Sequence, residues 1–189
     1  MRIISGKYRN KKLYFPKNLK TRPLKDSVRE NIFNILKHSK KIKVKVEDSN
    51  IMDLYAGTGS FGLECLSRDA SKVFFVEKDK EAIIYLKKNI KNLTLENKSI
   101  IFDEDIFKFS KNIKFKKKFD IIFLDPPYKD ERYIDIIKIL KYENLLNKNH
   151  IVIIHREKKS NLEFDKYINI IENRIYGRSE IFFGSFFWI

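Results

Sequence analysis

Four consecutive residues, Asp125-Pro126-Pro127-Tyr128, follow the apolar run 119–124 and so emerge at the carboxyl end of a predicted buried strand. Open α/β sheets bind their ligands in the crevice beyond those strand ends. There the tetrapeptide offers a carboxylate, a carbonyl held by a rigid double proline and an aromatic face. The exocyclic amine of a nucleobase is a poor nucleophile, because its lone pair is delocalised into the ring. Two acceptors, Asp125 and the carbonyl of Pro126, can each take one N–H and aim the lone pair at an electrophilic carbon. Pro127 stiffens that carbonyl and Tyr128 stacks on the base. Asp125 also offsets charge that develops on the amine as a methyl group arrives. The set suits amino-group methylation; the same residues also read as a plain turn, since proline excludes the preceding residue from helix.

A second constellation is Asp53-Leu54-Tyr55-Ala56-Gly57-Thr58-Gly59-Ser60-Phe61-Gly62, with G-x-G-x-x-G spacing between a predicted strand and a predicted helix. Gly57 and Gly59 let the backbone approach a ligand, Tyr55, Ala56 and Thr58 belong to the same turn, and Glu77 ends the next strand within reach of two ribose hydroxyls. That pattern suits a nicotinamide cofactor as well as S-adenosylmethionine. Asp53 discriminates between them. A carboxylate at the tip of strand one repels a pyrophosphate over the helix amino terminus and attracts the ammonium of S-adenosylmethionine. Asp105, ending strand three, is the candidate for an adenine amine, although Asp103 and Glu104 are equally near and an acidic cluster capping a helix is the plainer reading. The methyl donor is itself electrophilic, so neither a metal nor a covalent nucleophile is required.

The elements that must position these groups follow from periodicity. Residues 1–15 read as a hairpin of two short strands, and Asp26 caps a helix running to about residue 36. Strands are expected over 51–55, 72–76, 98–102, 119–124 and 150–155, with helices over about 60–68, 79–92, 105–110 and 131–142. Strands alternating with helices predict a parallel, doubly wound sheet. The last two runs, 170–176 and 180–187, leave no room for a crossover helix and so pair as an antiparallel hairpin. The division expected is a hairpin and helix extension over 1–48 and a catalytic domain over 49–189.

With 189 residues the chain is long enough for one well-buried core. It shows no apolar run of membrane-spanning length and no signal-like start, and it reads as cytoplasmic. One cysteine, Cys65, excludes an internal disulfide, and His38, His150 and His155 lack metal-ligand spacing, so no metal is expected. Cys65 reads as a core residue, and His155, closing strand five, either lines the cleft or caps the strand, the second being the plainer reading. The net charge of +15 points to a polyanion, but 31 Lys against 9 Arg, beside 28 Ile and 15 Asn, also fits a composition bias that fills solvated faces. Placement says more than the total. Arg2, Lys7, Arg9, Lys11 and Lys12 crowd the first residues with Tyr8, Tyr14 and Phe15 among them, which suits a nucleic-acid backbone and unstacked bases.

Along nearly its full length the chain resembles the RsmD family of bacterial 16S ribosomal RNA guanine-N2 methyltransferases. The resemblance lies in residues 2–13, in Arg22-Pro23-Leu24-Lys25-Asp26-Ser27-Val28-Arg29-Glu30-Asn31-Ile32-Phe33-Asn34, and in 53–62, Leu66-Ser67-Arg68, Glu77-Lys78-Asp79 and 125–128. Thr58 stands where the family commonly has serine, and Tyr128 where phenylalanine is also common. The resemblance implies a Rossmann-like class I S-adenosylmethionine-dependent methyltransferase with a seven-stranded, mostly parallel sheet and an antiparallel C-terminal hairpin. It implies that segment 22–34, with Arg22, Pro23 and Arg29, closes over the donor beside Lys78. It further implies a guanine of 16S rRNA in the small ribosomal subunit or its assembly intermediate as substrate. A monomer is expected, with the C-terminal Phe186-Phe187-Trp188 a reason to check. The alternatives are an N6-adenine or N4-cytosine amino-methyltransferase, which shares the Asp-Pro-Pro-Tyr motif, an NAD-dependent oxidoreductase, which has no use for it, and a non-catalytic RNA-binding protein.

Overall fold

Runs such as Ile121-Ile122-Phe123-Leu124 are apolar on both faces, a pattern suited to a strand covered on each side. The computed structural model describes residues 1–16, 24–111, 118–143, 145–158 and 163–187. Its strands are β1 (Asn50–Leu54), β2 (Lys72–Glu77), β3 (Ser99–Asp103), β4 (Phe119–Leu124), β5 (Leu146–Glu157), β6 (Ile168–Tyr176) and β7 (Ser179–Phe186). Its α-helices are α1 (Asp26–His38), α2 (Ser60–Ser67), α3 (Lys80–Asn92), α4 (Ile106–Lys111) and α5 (Tyr133–Tyr142). The strands form one sheet in the order β3-β2-β1-β4-β5-β7-β6. β1 to β5 run parallel, and β7 lies antiparallel between β5 and β6. The chain order reverses between β1 and β4, where neighbouring strand ends open a crevice.

Alternation distributes the strand side chains between two cores. Ile51, Phe75, Ile121, Phe123 and Ile153 meet α1, α2 and α3, while Met52, Leu54, Ile122, Leu124 and Ile154 meet α4 and α5. Phe61 of α2 stacks between Phe33 of α1 and Phe123 of β4, with ring centroids at 5.3 and 4.0 Å. Cys65 is a fully buried member of the first core.

Three expectations change in detail. β5 extends beyond the predicted 150–155 because pairing with β4 begins at Leu146 and pairing with β7 continues to Glu157. Asp26 is the first helical residue of α1 and receives Arg29, while Lys25 occupies the cap position. The two short N-terminal strands reduce to one antiparallel bridge, Arg2 to Lys12, because the turn gives its N–H groups to α2 instead. Ile4 and Ser5 donate to Glu64 at 2.7 and 2.9 Å, Lys7 donates to the Ser67 carbonyl at 2.7 Å and Tyr8 to the Ser67 hydroxyl at 3.0 Å. Gly6 has φ +83°, and a Cβ there would lie 1.8 Å from the Ser67 carbonyl oxygen, so only glycine permits the docking.

Among the described residues no helix is long and apolar enough to cross a membrane.

Candidate active site

The glycine turn leaves β1 through Tyr55, which has φ +62°, and enters α2 through Gly59, which has φ +85°. A Cβ on Gly59 would meet the end of the Leu86 side chain of α3 at 2.4 Å, which can shift, so it is the left-handed backbone that calls for glycine here. Three side chains brace the turn. Glu77 accepts the Gly57 N–H at 2.7 Å through one oxygen and the Lys78 and Asp79 N–H groups at 2.8 and 2.9 Å through the other. Asn89 of α3 donates to the Thr58 carbonyl at 3.1 Å while exchanging two hydrogen bonds with the Tyr14 backbone. Asp53 accepts the Gly62 N–H at 2.9 Å, satisfying one of the free donors in the first turn of α2.

Asp53 is 1% exposed, so burial pushes its carboxyl up to about 8, with Gly62 opposing the rise and the charges of Asp125 and Glu77 adding to it. The Tyr55 hydroxyl is buried beside the turn without a hydrogen-bond partner among the described residues, and burial raises its phenol pKa. Thr58 and Ala56 are buried, and Lys78 reaches across to Asp105 at 3.0 Å.

At the neighbouring strand end, the Asp125 N–H faces the Leu54 carbonyl at 3.4 Å, which brings the tetrapeptide beside the glycine turn. Register pairs Leu124 with Ile154, so His155 stands next to Asp125. His155 Nδ1 lies 2.7 Å from Asp125 Oδ1, and its Nε2 lies 3.4 Å from the Tyr128 hydroxyl. Arg156 is 3% exposed and donates to the carbonyls of Pro127 and Tyr128 at 3.1 and 2.8 Å. Asp125 Oδ2 and the carbonyl of Pro126 have no donor among the described residues. Tyr128 is 39% exposed and presents its ring at the surface of the crevice.

Other candidates separate from this cluster. Arg29, expected at the donor, is fully buried and its partners are the Arg2 carbonyl, Asp26 at 3.0 Å and Glu64 at 3.8 Å, so it ties the N-terminal turn to α1 and α2. Asp105 caps α4 by accepting from Phe107 at 2.9 Å and gives its other oxygen to Lys78; Asp103 pairs with Lys80. Arg2, Arg9, Lys11 and Lys12 are exposed without ion pairs among the described residues, whereas Lys7 pairs with Asp69 at 2.5 Å. Arg22 and Pro23 lie outside the described residues.

His155, Arg156, Glu64 and Asn89 are the residues that motif reading missed or undervalued. Pairing of predicted strands four and five in parallel would have set His155 against the motif, whereas no local signal singles out Glu64 among the polar residues of its helix.

The parallel sheet with its antiparallel β7, a glycine turn after β1 and Asp-Pro-Pro-Tyr after β4 define a class I methyltransferase. Comparison carries this further. The family model described as Conserved hypothetical protein 95 matches residues 1–185, and the chain belongs to this family, the RsmD family. Ribosomal RNA small subunit methyltransferase D of Buchnera aphidicola subsp. Acyrthosiphon pisum is 34% identical, covering 92% of this chain and 86% of its own. The protein of that name from Haemophilus influenzae is also 34% identical, covering 84% and 79%. The solved structure of Escherichia coli yhhF superposes with a TM-score of 0.81 at 25% identity, covering 98% of this chain and 97% of that one.

Proposed function

We propose that this chain transfers the methyl group of S-adenosylmethionine to the exocyclic N2 amine of a guanine in 16S ribosomal RNA of the small ribosomal subunit, as a cytoplasmic monomer. The observation that carries the reading is the pair of open acceptors after β4, Asp125 Oδ2 and the Pro126 carbonyl, held by His155 and Arg156 beside the glycine turn. Relatives named ribosomal RNA small subunit methyltransferase D support the substrate class.

The residues present fit the donor. Tyr55 offers a buried hydroxyl in need of a partner, Asp53 a buried acid that a cation would ionise, and Glu77 a carboxylate with capacity beyond its three N–H donors. Ala56, Gly57, Thr58, Gly59 and Lys78 complete the proposed cradle, with Asp105 at its adenine end and Arg22 and Pro23 assigned by family resemblance alone. When bound, S-adenosylmethionine supplies a methyl group already activated by its sulfonium. Asp125 and the Pro126 carbonyl orient the amine, Tyr128 stacks on the base, and Asp125 is the nearest acceptor for the proton that the methylated nitrogen sheds.

Asp53 gives the donor site a pH dependence of defined sign. Between the ordinary carboxyl range near 4 and about 8 the free protein holds this proton, so its contribution to stability declines as pH rises through that window. A cationic ligand favours the ionised form. Donor affinity is therefore expected to rise severalfold from about pH 6 to about pH 8, and calorimetry in buffers of different ionisation enthalpy at neutral pH should register proton release. Asp53→Asn should abolish both; a proton-neutral wild-type titration would remove Asp53 from the site's electrostatics.

Residues 1–48 are proposed as the RNA-binding extension. Neutralising Arg9, Lys11 and Lys12 together should lower the slope of log affinity against log salt by about two, as expected for three charges on single-stranded RNA. An unchanged slope would return them to solvated surface. The reaction itself is tested by methylation of small-subunit RNA with labelled donor followed by mass-spectrometric mapping. N2-methylguanosine is the expected product, and a methylated adenine, or none, would overturn the proposal.

A further inference from the structure

We infer that His155 is a positioning residue for the methyl acceptor, one imidazole fixing both the Asp125 carboxylate and the Tyr128 ring. The inference rests on the amine-methylation reading above. His155 is flanked in the sheet by β4 and β7, whose register pairs it with Ile181, and only 7% of it is exposed. Its side chain is therefore fixed by packing rather than by the groups it serves.

The hydrogen positions follow from chemistry. An ionised Asp125 only accepts, so Nδ1, 2.7 Å away, carries the hydrogen. In the neutral ring Nε2 is then an acceptor, and the Tyr128 hydroxyl at 3.4 Å is the donor facing it. The two rings meet edge to face, with centroids 5.8 Å apart and planes at 76°. The Nδ1 bond occupies Oδ1 and so turns Oδ2, which has no other donor among the described residues, into the acceptor for an amine. The Nε2 and ring contacts set the tilt of the face on which a base would stack. Ser179 Oγ, also 3.4 Å from the Tyr128 hydroxyl, is the other contact holding that tip.

Arg156 makes the inference separable from a structural role. It holds the loop backbone through the Pro127 and Tyr128 carbonyls, so loss of the imidazole releases two side chains while the loop stays anchored. Two near-isosteric substitutions divide the functions. His155→Asn keeps a donor near the Nδ1 position and loses the Tyr128 contact, whereas His155→Gln does the reverse. His155→Gln should lower kcat on the order of 10- to 100-fold with little change in KM for RNA, as a misdirected acceptor does. His155→Asn should act mainly on KM for RNA, raising it about fivefold through the weakened stacking face. Equal losses in both variants, or none, would overturn the inference.

A second readout needs no turnover. Nitrogen-15 NMR of the wild-type imidazole should show the Nδ1–H tautomer, and an Nε2–H tautomer would overturn the assignment. If wild-type protein methylates no guanine, the reaction reading fails, and the tautomer still decides whether His155 orients Asp125.

Discussion

Asp125→Ala should lower kcat by about 10²- to 10³-fold, with donor affinity and melting temperature close to wild type. The selectivity of the loss comes from geometry. The Asp125 side chain is 26% exposed and makes its hydrogen bond to His155, so its removal opens no cavity and orphans only one imidazole nitrogen, close enough to the crevice for water to replace the lost partner. What disappears is Oδ2, the acceptor that faces no donor among the described residues. The Pro126 carbonyl survives the substitution, so a residual rate remains. Asp125→Asn sharpens the test. Its amide can still accept from His155 but then presents NH2 where the incoming amine needs an acceptor, so a variant nearly isosteric with wild type should be as impaired as alanine. Single-turnover rates with saturating donor and RNA would measure this, and a wild-type rate in either variant would remove Asp125 from the chemistry.

The sequence made the sheet legible because each parallel strand, covered on both faces, must be apolar throughout, and each crossover helix carries a 3.6-residue stripe. It made the two motifs legible because their glycines and prolines are demanded by backbone geometry within a few residues of chain. Contacts between distant segments were not legible in the same way. Glu64, Arg29 and Asn89 look like ordinary polar positions on helices until the N-terminal turn folds against them, and Arg29 was drawn towards the donor by resemblance when its partners are Glu64, Asp26 and the Arg2 carbonyl. His155 read as a strand cap because its role depends on strand register, which motif spacing alone does not fix. Asp105 shows the opposite outcome. Its capping of α4, the plainer local reading, is what the structure contains.

Glu64 is where the N-terminal turn is fastened, and Glu64→Ala should destabilise the protein by about 3–5 kcal/mol. The carboxylate is fully buried, accepts from Ile4 and Ser5, pairs with Arg68 at 3.0 Å and faces the buried Arg29 guanidinium at 3.8 Å. Burial lowers the Arg29 pKa, with the Arg68 charge adding to the fall, and Glu64 is the largest influence opposing it, so its removal leaves the buried guanidinium with the half-exposed Asp26 as its counter-ion among the described residues. Two roles are combined here, counter-ion and acceptor of backbone N–H groups, and a double variant separates them. Buried ion pairs replaced together by apolar residues are often neutral in stability. If the counter-ion role dominated, Arg29→Met with Glu64→Leu would restore the melting temperature. The Ile4 and Ser5 N–H groups would still lack their acceptor, each at about 1–3 kcal/mol where water cannot reach. The double variant should therefore recover less than half of the loss, and amide exchange at Ile4, Ser5 and Lys7 should accelerate in both variants while α3 stays protected. RNA affinity should fall with that undocking more than donor affinity does. Full thermal recovery with protected amides would instead reduce Glu64 to a partner for Arg29.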